Sequence, residues 1–404
     1  MKEILWTANS MKKQQGVSTA FLSAATVKTV QNFHASFPEY QPTPLRNLSN
    51  LANKLGLGGI FVKDESYRFG LNAFKVLGAS FAIAKYLAKR LDMDIQDLDF
   101  ALLRSPAIKK RLGEITFVTA TDGNHGRGVA WAARQLQQKA VIYMPKGSSD
   151  IRLKNIQAEG ATASITDLNY DDAVRLAAAK ADEFGWVIIQ DTDWEGYKDI
   201  PEWIMQGYGT IAAEALEQLQ QYKAAKPTHI FLQAGVGSFA GAIAGYFSDY
   251  FGQNKPKISV VEPDLAACIY KSALAADESA RIVTGDMATI MAGLACGQPN
   301  ETGWSILRDN GELFFSCPDE VTAHGMRVLG NPSGDDSRII SGESGAVTMG
   351  LLCLLLTDPK LQTAKAQLGL DETSQVLLIS TEGDTDPDAY RKIVWDGLYA
   401  NESL

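Results

Sequence analysis

The chain has 404 residues, enough for about two or three compact domains of ~150 residues each. Hydrophobic residues make up 46% and charged residues 21%, an ordinary globular composition that excludes disordered, collagen-like and coiled-coil proteins. Lys and Arg number 38 against 47 Asp and Glu, so the net charge is −9, and neither nucleic acid nor a membrane surface is expected as a partner.

The cysteine pattern and the first residues together predict a cytoplasmic protein. The four cysteines lack C-x-x-C spacing, which favours a reducing compartment. Residues 1–15 lack the apolar core of a secretory signal, and the runs 234–247 and 345–356 are shorter than the ~18 apolar residues of a membrane span. Cys268 and Cys296 are open to two interpretations, as small buried hydrophobic side chains or as a regulatory disulfide.

Short β-branched runs alternate with helical patterns along most of the chain, as in βα units with a mostly parallel sheet. After a short strand that precedes Lys75, the predicted strands are 115–120, 140–145, 186–191, 229–235, 257–263 and 375–381. The predicted helices are 126–136, 151–159, 202–222, 238–250, 321–328 and 346–355. We therefore expect an α/β fold.

The first candidate residue along the chain is Lys75, which precedes an Ala-rich helical pattern. A lone lysine at a helix start is usually solvated. Phe74, Val76 and Leu77 flank this one, however, and an ammonium removed from water has a lowered pKa and can form a Schiff base with a carbonyl cofactor. Both interpretations stay open from the residues alone.

Polar and glycine-rich turns follow four predicted strands, at 121–128, 192–197, 235–241 and 381–386. Ligands of parallel sheets bind beyond the carboxyl ends of the strands, so a single cleft could gather all four turns. In the first turn, Asp122 and Asn124 offer polar groups to a ligand, although either could simply cap the following helix. His125 lacks the spacing of a metal site, and no zinc site is predicted.

The second turn follows Asp191 and also contains Asp193. A carboxylate at a strand end can act as a base if it is partly removed from water. The residues alone favour a helix cap for this pair. The turn at 381–386, which follows Ser380, is rich in hydroxyl and acidic side chains but carries little weight alone.

The third turn, Gly235 to Gly241, joins a strand to a helix, so its N–H groups suit a phosphate. A dinucleotide is the main alternative, because the turn matches G-x-G-x-x-A and Glu262 ends the next strand, where a ribose-binding acid would stand. A plain tight turn is also possible. A P-loop is excluded, because the G-K-[ST] ending is missing.

Four motifs in a fixed order resemble those of fold-type II pyridoxal-phosphate enzymes: N-A-F-K at 72–75, T-D-G-N-H-G at 121–126, the glycine turn at 235–241 and S-T-E-G at 380–383. More narrowly, longer runs such as KDES-x-RFGLNAFK, QDTDWEGY and GDMATIMAGLACG closely resemble the diaminopropionate ammonia-lyase family. The resemblance extends from about residue 40 to residue 395.

The resemblance implies a set of residues that bind pyridoxal 5'-phosphate. Lys75 carries the cofactor through a Schiff base, Asn124 binds the ring oxygen O3′, and either Ser380 or Thr381 faces the ring nitrogen. The phosphate binds the backbone of the glycine turn, at Gly235, Val236, Gly237, Ser238 and Phe239.

The resemblance also implies an architecture. It predicts two open, twisted, mostly parallel sheets flanked by helices, with the active site in a cleft between two domains. The larger, cofactor-binding domain is expected at residues 1–84 plus 215–404, and the smaller inserted domain at 85–214. Relatives of this fold are usually homodimers, so a homodimer is expected.

The activity implied by the resemblance is α,β-elimination of 2,3-diaminopropionate, as the L-isomer and also the D-isomer, to pyruvate and two ammonia. Lys75, Asp122 and Asp191 are the expected catalytic residues, with Lys75 as base for the L-isomer and Asp122 for the D-isomer. Relatives that act on serine or threonine often carry serine in place of Asp122. A serine or threonine dehydratase of the same fold remains the nearest alternative, and a nucleotide-binding oxidoreductase a more distant one.

Overall fold

The structure is a computed structural model that describes residues 2–13, 16–121, 123–222 and 226–400, apart from the side chain of Asp171. The chain divides into two compact units. The first unit is formed by the described residues of Met1–Ser23, Thr43–Tyr67 and Ile211–Leu404, and the second by Ala24–Pro42 and Arg68–Thr210.

Within the described residues, strands and helices alternate along most of the chain. The strands are β1 Leu5–Ala8, β2 Leu45–Asn47, β3 Gly59–Asp64, β4 Thr116–Ala120, β5 Lys139–Met144, β6 Thr162–Ile165, β7 Val187–Ile188, β8 His229–Gln233, β9 Lys257–Pro263, β10 Gly311–Cys317 and β11 Gln375–Ser380. The helices are α1 Ala24–Ala35, α2 Ser49–Leu55, α3 Val76–Leu91, α4 Phe100–Leu103, α5 Pro106–Leu112, α6 Asn124–Gln135, α7 Asp150–Ala158, α8 Tyr170–Phe184, α9 Asp199–Leu219, α10 Ser238–Phe251, α11 Cys268–Ala275, α12 Glu301–Asn310, α13 Asp319–Gly330, α14 Glu343–Thr357, α15 Gln362–Leu368 and α16 Pro387–Val394.

The first unit is built on a seven-stranded sheet in the order β1-β10-β9-β8-β11-β3-β2. The five inner strands are parallel, and the two edge strands β1 and β2 pair antiparallel with their neighbours. Strands β3 and β8 are buried at every residue, as expected for parallel strands covered by helices on both faces. Helix α14 packs on β8 and β11, so the turns after these strands rest on a rigid apolar core.

The second unit is built on a four-stranded parallel sheet in the order β6-β5-β4-β7. Helix α8 packs its alanines Ala173, Ala177 and Ala181 against Val118 and Ala120 of β4. The spacing of four residues places the three alanines on one helical face, and their small side chains let the helix lie close to the sheet. Helix α6 follows β4 directly and packs against α3.

The α/β fold with two mostly parallel sheets flanked by helices is confirmed. The unit boundaries differ from the predicted 84/85 and 214/215, since the compact units divide at Tyr67/Arg68 and Thr210/Ile211 and the second also includes Ala24–Pro42. Packing explains the difference, because α3 lies on α6. The buried ring of His34 in α1 also contacts Leu77 O at 3.0 Å and Thr210 Oγ1 at 2.8 Å, which ties α1 to the same unit.

Among the described helices, none combines the length and apolarity needed to cross a bilayer.

Candidate active site

Lys75 lies in the second unit, at the position immediately before helix α3. Its Nζ is 2.9 Å from Oδ2 of Asp191, and its side chain is 19% exposed while that of Asp191 is 6% exposed. The positive end of a helix dipole disfavours an ammonium at this position, and the carboxylate offsets that effect. The pair therefore gives a reactive amine a defined position and a counter-charge.

Close backbone packing fixes the segment that carries Lys75. A Cβ atom at Gly128 of α6 would lie 2.9 Å from both N and Cα of Val76 and 3.2 Å from C of Lys75. Only glycine permits an approach this close. Arg127 of α6 donates from Nη1 to the carbonyl oxygen of Leu71, on the loop that precedes Lys75, at 3.0 Å. Helix α6 therefore contacts both this loop and the start of α3.

The loop before Lys75 has strained backbone at two residues, with φ of +49° at Phe69 and +60° at Asn72. Non-glycine residues occupy this region rarely, at a cost of about 1–3 kcal/mol each, and such strain clusters at functional sites. The strained loop, the Arg127 contact and the ion pair all converge on Lys75.

Asp191 is buried just beyond β7. Burial alone would raise the pKa of this carboxyl, but the Lys75 ammonium and His125 outweigh that effect and lower its pKa to about 2. Asp191 is therefore ionised at neutral pH. The helix-cap interpretation of Asp191 is wrong, because α9 begins only at Asp199 and the carboxylate binds Lys75 instead.

The T-D-G-N-H-G turn begins helix α6 at Asn124. Thr121 provides the cap, since its Oγ1 accepts hydrogen bonds from the N–H groups of Gly123 at 3.1 Å and Gly126 at 3.3 Å. Asn124 is the first residue of the helix and not its cap. Asp122 itself lies outside the described residues. The His125 ring is buried, with Nε2 2.8 Å from Ile189 O, which ties the turn to the end of β7.

The Gly235–Gly241 turn lies in the first unit, between β8 and α10. Gly237 has a φ of +95°, and a Cβ atom at Gly235 would lie 3.2 Å from Gly293 O and from Leu294 Cα. The N–H groups in the first turn of α10 point out of the helix toward this turn, at the positive end of its dipole. The geometry fits a phosphate group bound to the backbone from Gly235 through Val236, Gly237, Ser238 and Phe239.

Glu262 does not fit the dinucleotide alternative. It is fully buried, and its carboxylate accepts hydrogen bonds from the N–H groups of Ile269 at 2.9 Å and Tyr270 at 2.6 Å, at the start of α11. Burial raises its pKa to about 8 even though these N–H groups favour the ionised form. Because the carboxyl is hydrogen-bonded to the start of α11 inside the fold, it is not placed to bind a ribose.

Ser380 and Thr381 stand at the end of β11, and their hydrogen bonds differ. Ser380 donates its hydroxyl proton to Ser341 Oγ at 2.8 Å and lies 3.3 Å from Glu382 O. Thr381 accepts at Oγ1 from Gln233 Nε2 at 2.9 Å. Thr381 therefore keeps its own proton for a further acceptor, as a hydroxyl facing a ring nitrogen requires.

The four cysteines are not joined in disulfides in this structure, so Cys268 and Cys296 do not form the regulatory disulfide here. Burial raises the pKa of the Cys268 thiol well above its ordinary value. Within the ranges that the structure describes, no group of three or more His, Cys, Asp and Glu side chains is arranged to hold a metal ion.

Sequence reasoning missed Tyr208 of helix α9. Its ring lies 4.8 Å from that of Phe74, centroid to centroid, and a Cβ atom at Gly78 would be 2.7 Å from its Cε1. The tyrosine thus packs on the residue before Lys75 and on the residue one turn after it. Burial raises the pKa of its phenol, and the charges of Lys75 and Asp191 act on that pKa in opposite directions. The glycines on either side of Tyr208, at 207 and 209, were the available signal for close helix packing.

The predicted site residues thus fall into two sets. The second unit brings Lys75 and Asp191 into contact and places Asn124 at the start of the helix that packs on α3. The first unit holds the glycine turn, Ser380 and Thr381, at the ends of the neighbouring strands β8 and β11.

Comparison with known proteins gives concordant results. The family model described as pyridoxal-phosphate dependent enzyme matches residues 37–380. A diaminopropionate ammonia-lyase of Salmonella typhimurium is 55% identical over 98% of this chain and 99% of that protein. The crystal structure of holo diaminopropionate ammonia lyase from Escherichia coli, containing selenomethionine, superposes with a TM-score of 0.92 at 49% identity, covering 98% of each chain. The complex of that lyase with an aminoacrylate-PLP azomethine reaction intermediate gives 0.90 at 49% identity over 98% of each chain.

Proposed function

The chain belongs to the pyridoxal-phosphate dependent enzyme family, and on that premise we propose that it eliminates ammonia from 2,3-diaminopropionate. The products are pyruvate and two molecules of ammonia, and one water is consumed. The L-isomer and the D-isomer both serve as substrates in this proposal. The observation that carries this proposal is the Lys75–Asp191 ion pair, because it gives a defined position to a lysine that can bind a carbonyl cofactor. This lysine stands in a chain that is similar to diaminopropionate ammonia-lyases along nearly its full length.

The residues fit pyridoxal 5'-phosphate as the cofactor. The Gly235–Phe239 turn binds the phosphate, Asn124 binds O3′ and Lys75 binds the aldehyde carbon. When bound, this cofactor supplies a conjugated ring that withdraws electrons from the substrate α-carbon. The cradle at Gly235, which a Cβ atom would crowd, and the φ of +95° at Gly237 support this assignment.

Thr381 rather than Ser380 is the residue that we assign to the ring nitrogen. Its hydroxyl is oriented by the Gln233 amide and can still donate a proton, whereas the Ser380 proton is engaged by Ser341. A neutral hydroxyl leaves the ring nitrogen without a positive charge, so the ring withdraws fewer electrons than a protonated one. The family resemblance connects this property with β-elimination rather than transamination.

Proton transfer at the α-carbon is the task of Lys75 for the L-isomer. After Lys75 takes the proton at Nζ, the ammonium remains beside the Asp191 carboxylate, which stays ionised down to about pH 2. Asp122 takes the corresponding proton of the D-isomer from the opposite face. Asp122 and Asp191 also supply the negative charge that suits a substrate with a second amine.

The proposal includes a cytoplasmic homodimer, as the family resemblance implies. Four cysteines that form no disulfide are compatible with a reducing compartment. Size-exclusion chromatography with light scattering tests the dimer, and a mass of one chain, 43.8 kDa, would contradict it.

Pyruvate formation tests the activity. L- and D-2,3-diaminopropionate are supplied beside L-serine and L-threonine, to wild type and to Lys75→Ala. We expect fast turnover of diaminopropionate in the wild type and its loss in the lysine variant. Faster turnover of serine or threonine would instead identify a dehydratase of the same fold.

A further inference from the structure

We propose that Gln190 and Tyr197 are positioning residues that hold the Asp191 carboxylate against Lys75. The proposal deepens the function given above and takes its catalytic meaning from it.

The side chain of Gln190 extends the pairing of β7 with β4 beyond the last backbone rung. Backbone pairing ends where the Ile189 N–H donates to Val118 O at 2.9 Å. At the next position the Gln190 amide takes over, accepting at Oε1 from Ala120 N at 3.2 Å and donating from Nε2 to Ala120 O at 3.1 Å. Thr119 donates its hydroxyl to the same Oε1 at 2.7 Å.

At the end of β4, the side chain of Gln190 thus takes the place of a backbone pairing partner. Because the amide of Gln190 satisfies the end of β4, the backbone after β7 is free to leave the sheet without stranding a buried N–H or C=O group. The chain turns out of the sheet here and carries Asp191 to within 2.9 Å of Lys75 Nζ.

Tyr197 fixes the same peptide through its hydroxyl. The Gln190 N–H donates to the tyrosine oxygen at 2.7 Å, and the tyrosine O–H donates to Ile188 O at 3.0 Å. Burial raises the pKa of Tyr197 strongly, so the phenol stays protonated. Gln190 is thus held at its side chain by β4 and at its backbone by Tyr197, one residue before Asp191.

A tight hairpin brings Tyr197 to this position. Trp194 and Tyr197 exchange backbone hydrogen bonds at 2.9 and 3.4 Å, and their rings stack at 4.1 Å with an interplanar angle of 14°. Gly196, at the third position of the turn, has a φ of +82°, as a type II turn requires. Nine residues after β7 ends at Ile188, the chain therefore returns the Tyr197 ring to the end of the same strand.

The test measures how readily Lys75 reacts in the full-length chain after its cofactor is removed. A lysine held as an ammonium by a carboxylate acylates slowly, because only the neutral amine is nucleophilic. Labelling with an isotope-coded acetylating reagent from pH 6 to 10, read on the Lys75 peptide by mass spectrometry, gives a pH profile for this one amine. Circular dichroism and thermal unfolding verify that each variant is folded.

Asp191→Asn is the reference variant, because it removes the carboxylate itself. Its labelling of Lys75 at pH 7 is expected to be about tenfold faster than in wild type, the equivalent of one pKa unit. Tyr197→Phe and, independently, Gln190→Met are expected to raise it by roughly three- to tenfold. Tyr222→Phe is the matched control, because it removes a tyrosine hydroxyl that also donates to a backbone carbonyl, Leu45 O at 3.2 Å, in the first unit. Its labelling profile should equal that of wild type.

Wild-type labelling in both folded Tyr197→Phe and Gln190→Met, together with faster labelling in Asp191→Asn, would overturn the proposal. An unchanged rate in Asp191→Asn would also overturn it, because the carboxylate would then not control the amine. Pyruvate formation is measured separately on the reconstituted enzyme. Absence of pyruvate with a shifted labelling profile would refute the proposed function and leave this inference standing, whereas pyruvate with unshifted profiles would do the reverse.

Discussion

Replacement of Asp191 by asparagine removes one charge of a nearly buried ion pair and leaves the shape of the side chain almost unchanged. In the folded chain the pKa of Asp191 is lowered from 3.8 to about 2 by Lys75 and His125, against the opposing effect of burial. At about 1.4 kcal/mol per pKa unit, the ionised form is stabilised by roughly 2–3 kcal/mol on folding. We expect Asp191→Asn to lose about that much free energy of unfolding at pH 7.

The assay is urea-induced unfolding of the cofactor-free chain, followed by tryptophan fluorescence from pH 3 to pH 7. The folded pKa of Asp191 is depressed, so its contribution is complete above the unfolded pKa of 3.8 and is lost as the pH falls through about 2. The difference between wild type and Asp191→Asn should therefore be constant from about pH 5 to 7 and fall to roughly half at pH 3.

A double-mutant cycle with Lys75→Met separates the ion pair from other effects of the asparagine. The coupling energy should be about 2 kcal/mol and should change little in 1 M salt, because both side chains are largely buried. An asparagine variant as stable as wild type at pH 7 would refute the reasoning. A difference that stays the same down to pH 3 would refute it equally, because the loss would then not come from the ionised carboxylate.

Three further substitutions test two other parts of the site. Gly128→Ala places a methyl group 2.9 Å from the backbone of Val76, so we expect a loss of about 1–3 kcal/mol in stability and weaker uptake of pyridoxal phosphate at Lys75, measured by thermal unfolding and by absorbance titration. Thr381→Val should weaken cofactor affinity by roughly tenfold and shift its absorption band, whereas Ser380→Ala should change affinity less. Equal effects of the two hydroxyl deletions would contradict the assignment of Thr381.

Regular elements were the part of the fold that local patterns could predict. The predicted strand 257–263 is β9 itself, and 229–235 and 375–381 overrun β8 and β11 by only one or two residues, because continuous apolar runs signal buried parallel strands. Strand β6, with the sequence T-A-S-I, was missed because its residues alternate between exposed and partly buried and form no continuous apolar run. The membership of α1 in the second unit was also missed, since it depends on His34 reaching residues far along the chain.

The candidate site could be predicted where its residues are close together in the sequence, and not where it depends on contacts between distant residues. Local sequence singled out Lys75 and the glycine turn as candidates, and the family resemblance gave each its expected role. The partner of Lys75 is 116 residues away, and from its neighbours alone Asp191 is indistinguishable from a helix cap. The capping role of Thr121 and the packing of Tyr208 beside Lys75 likewise follow from three-dimensional proximity.

The position of β11 in the seven-stranded sheet has a consequence for synthesis on the ribosome. Strand β11 lies between β8 and β3, so β3 and β2 cannot pair with the rest of the sheet until residues 375–380 have been synthesised. About 300 residues separate β3 from β11, which at ~5–20 residues per second is a wait on the order of tens of seconds. All of the second unit has been translated once residue 210 is reached, so it can fold early while two strands of the first unit remain exposed to chaperones and proteases.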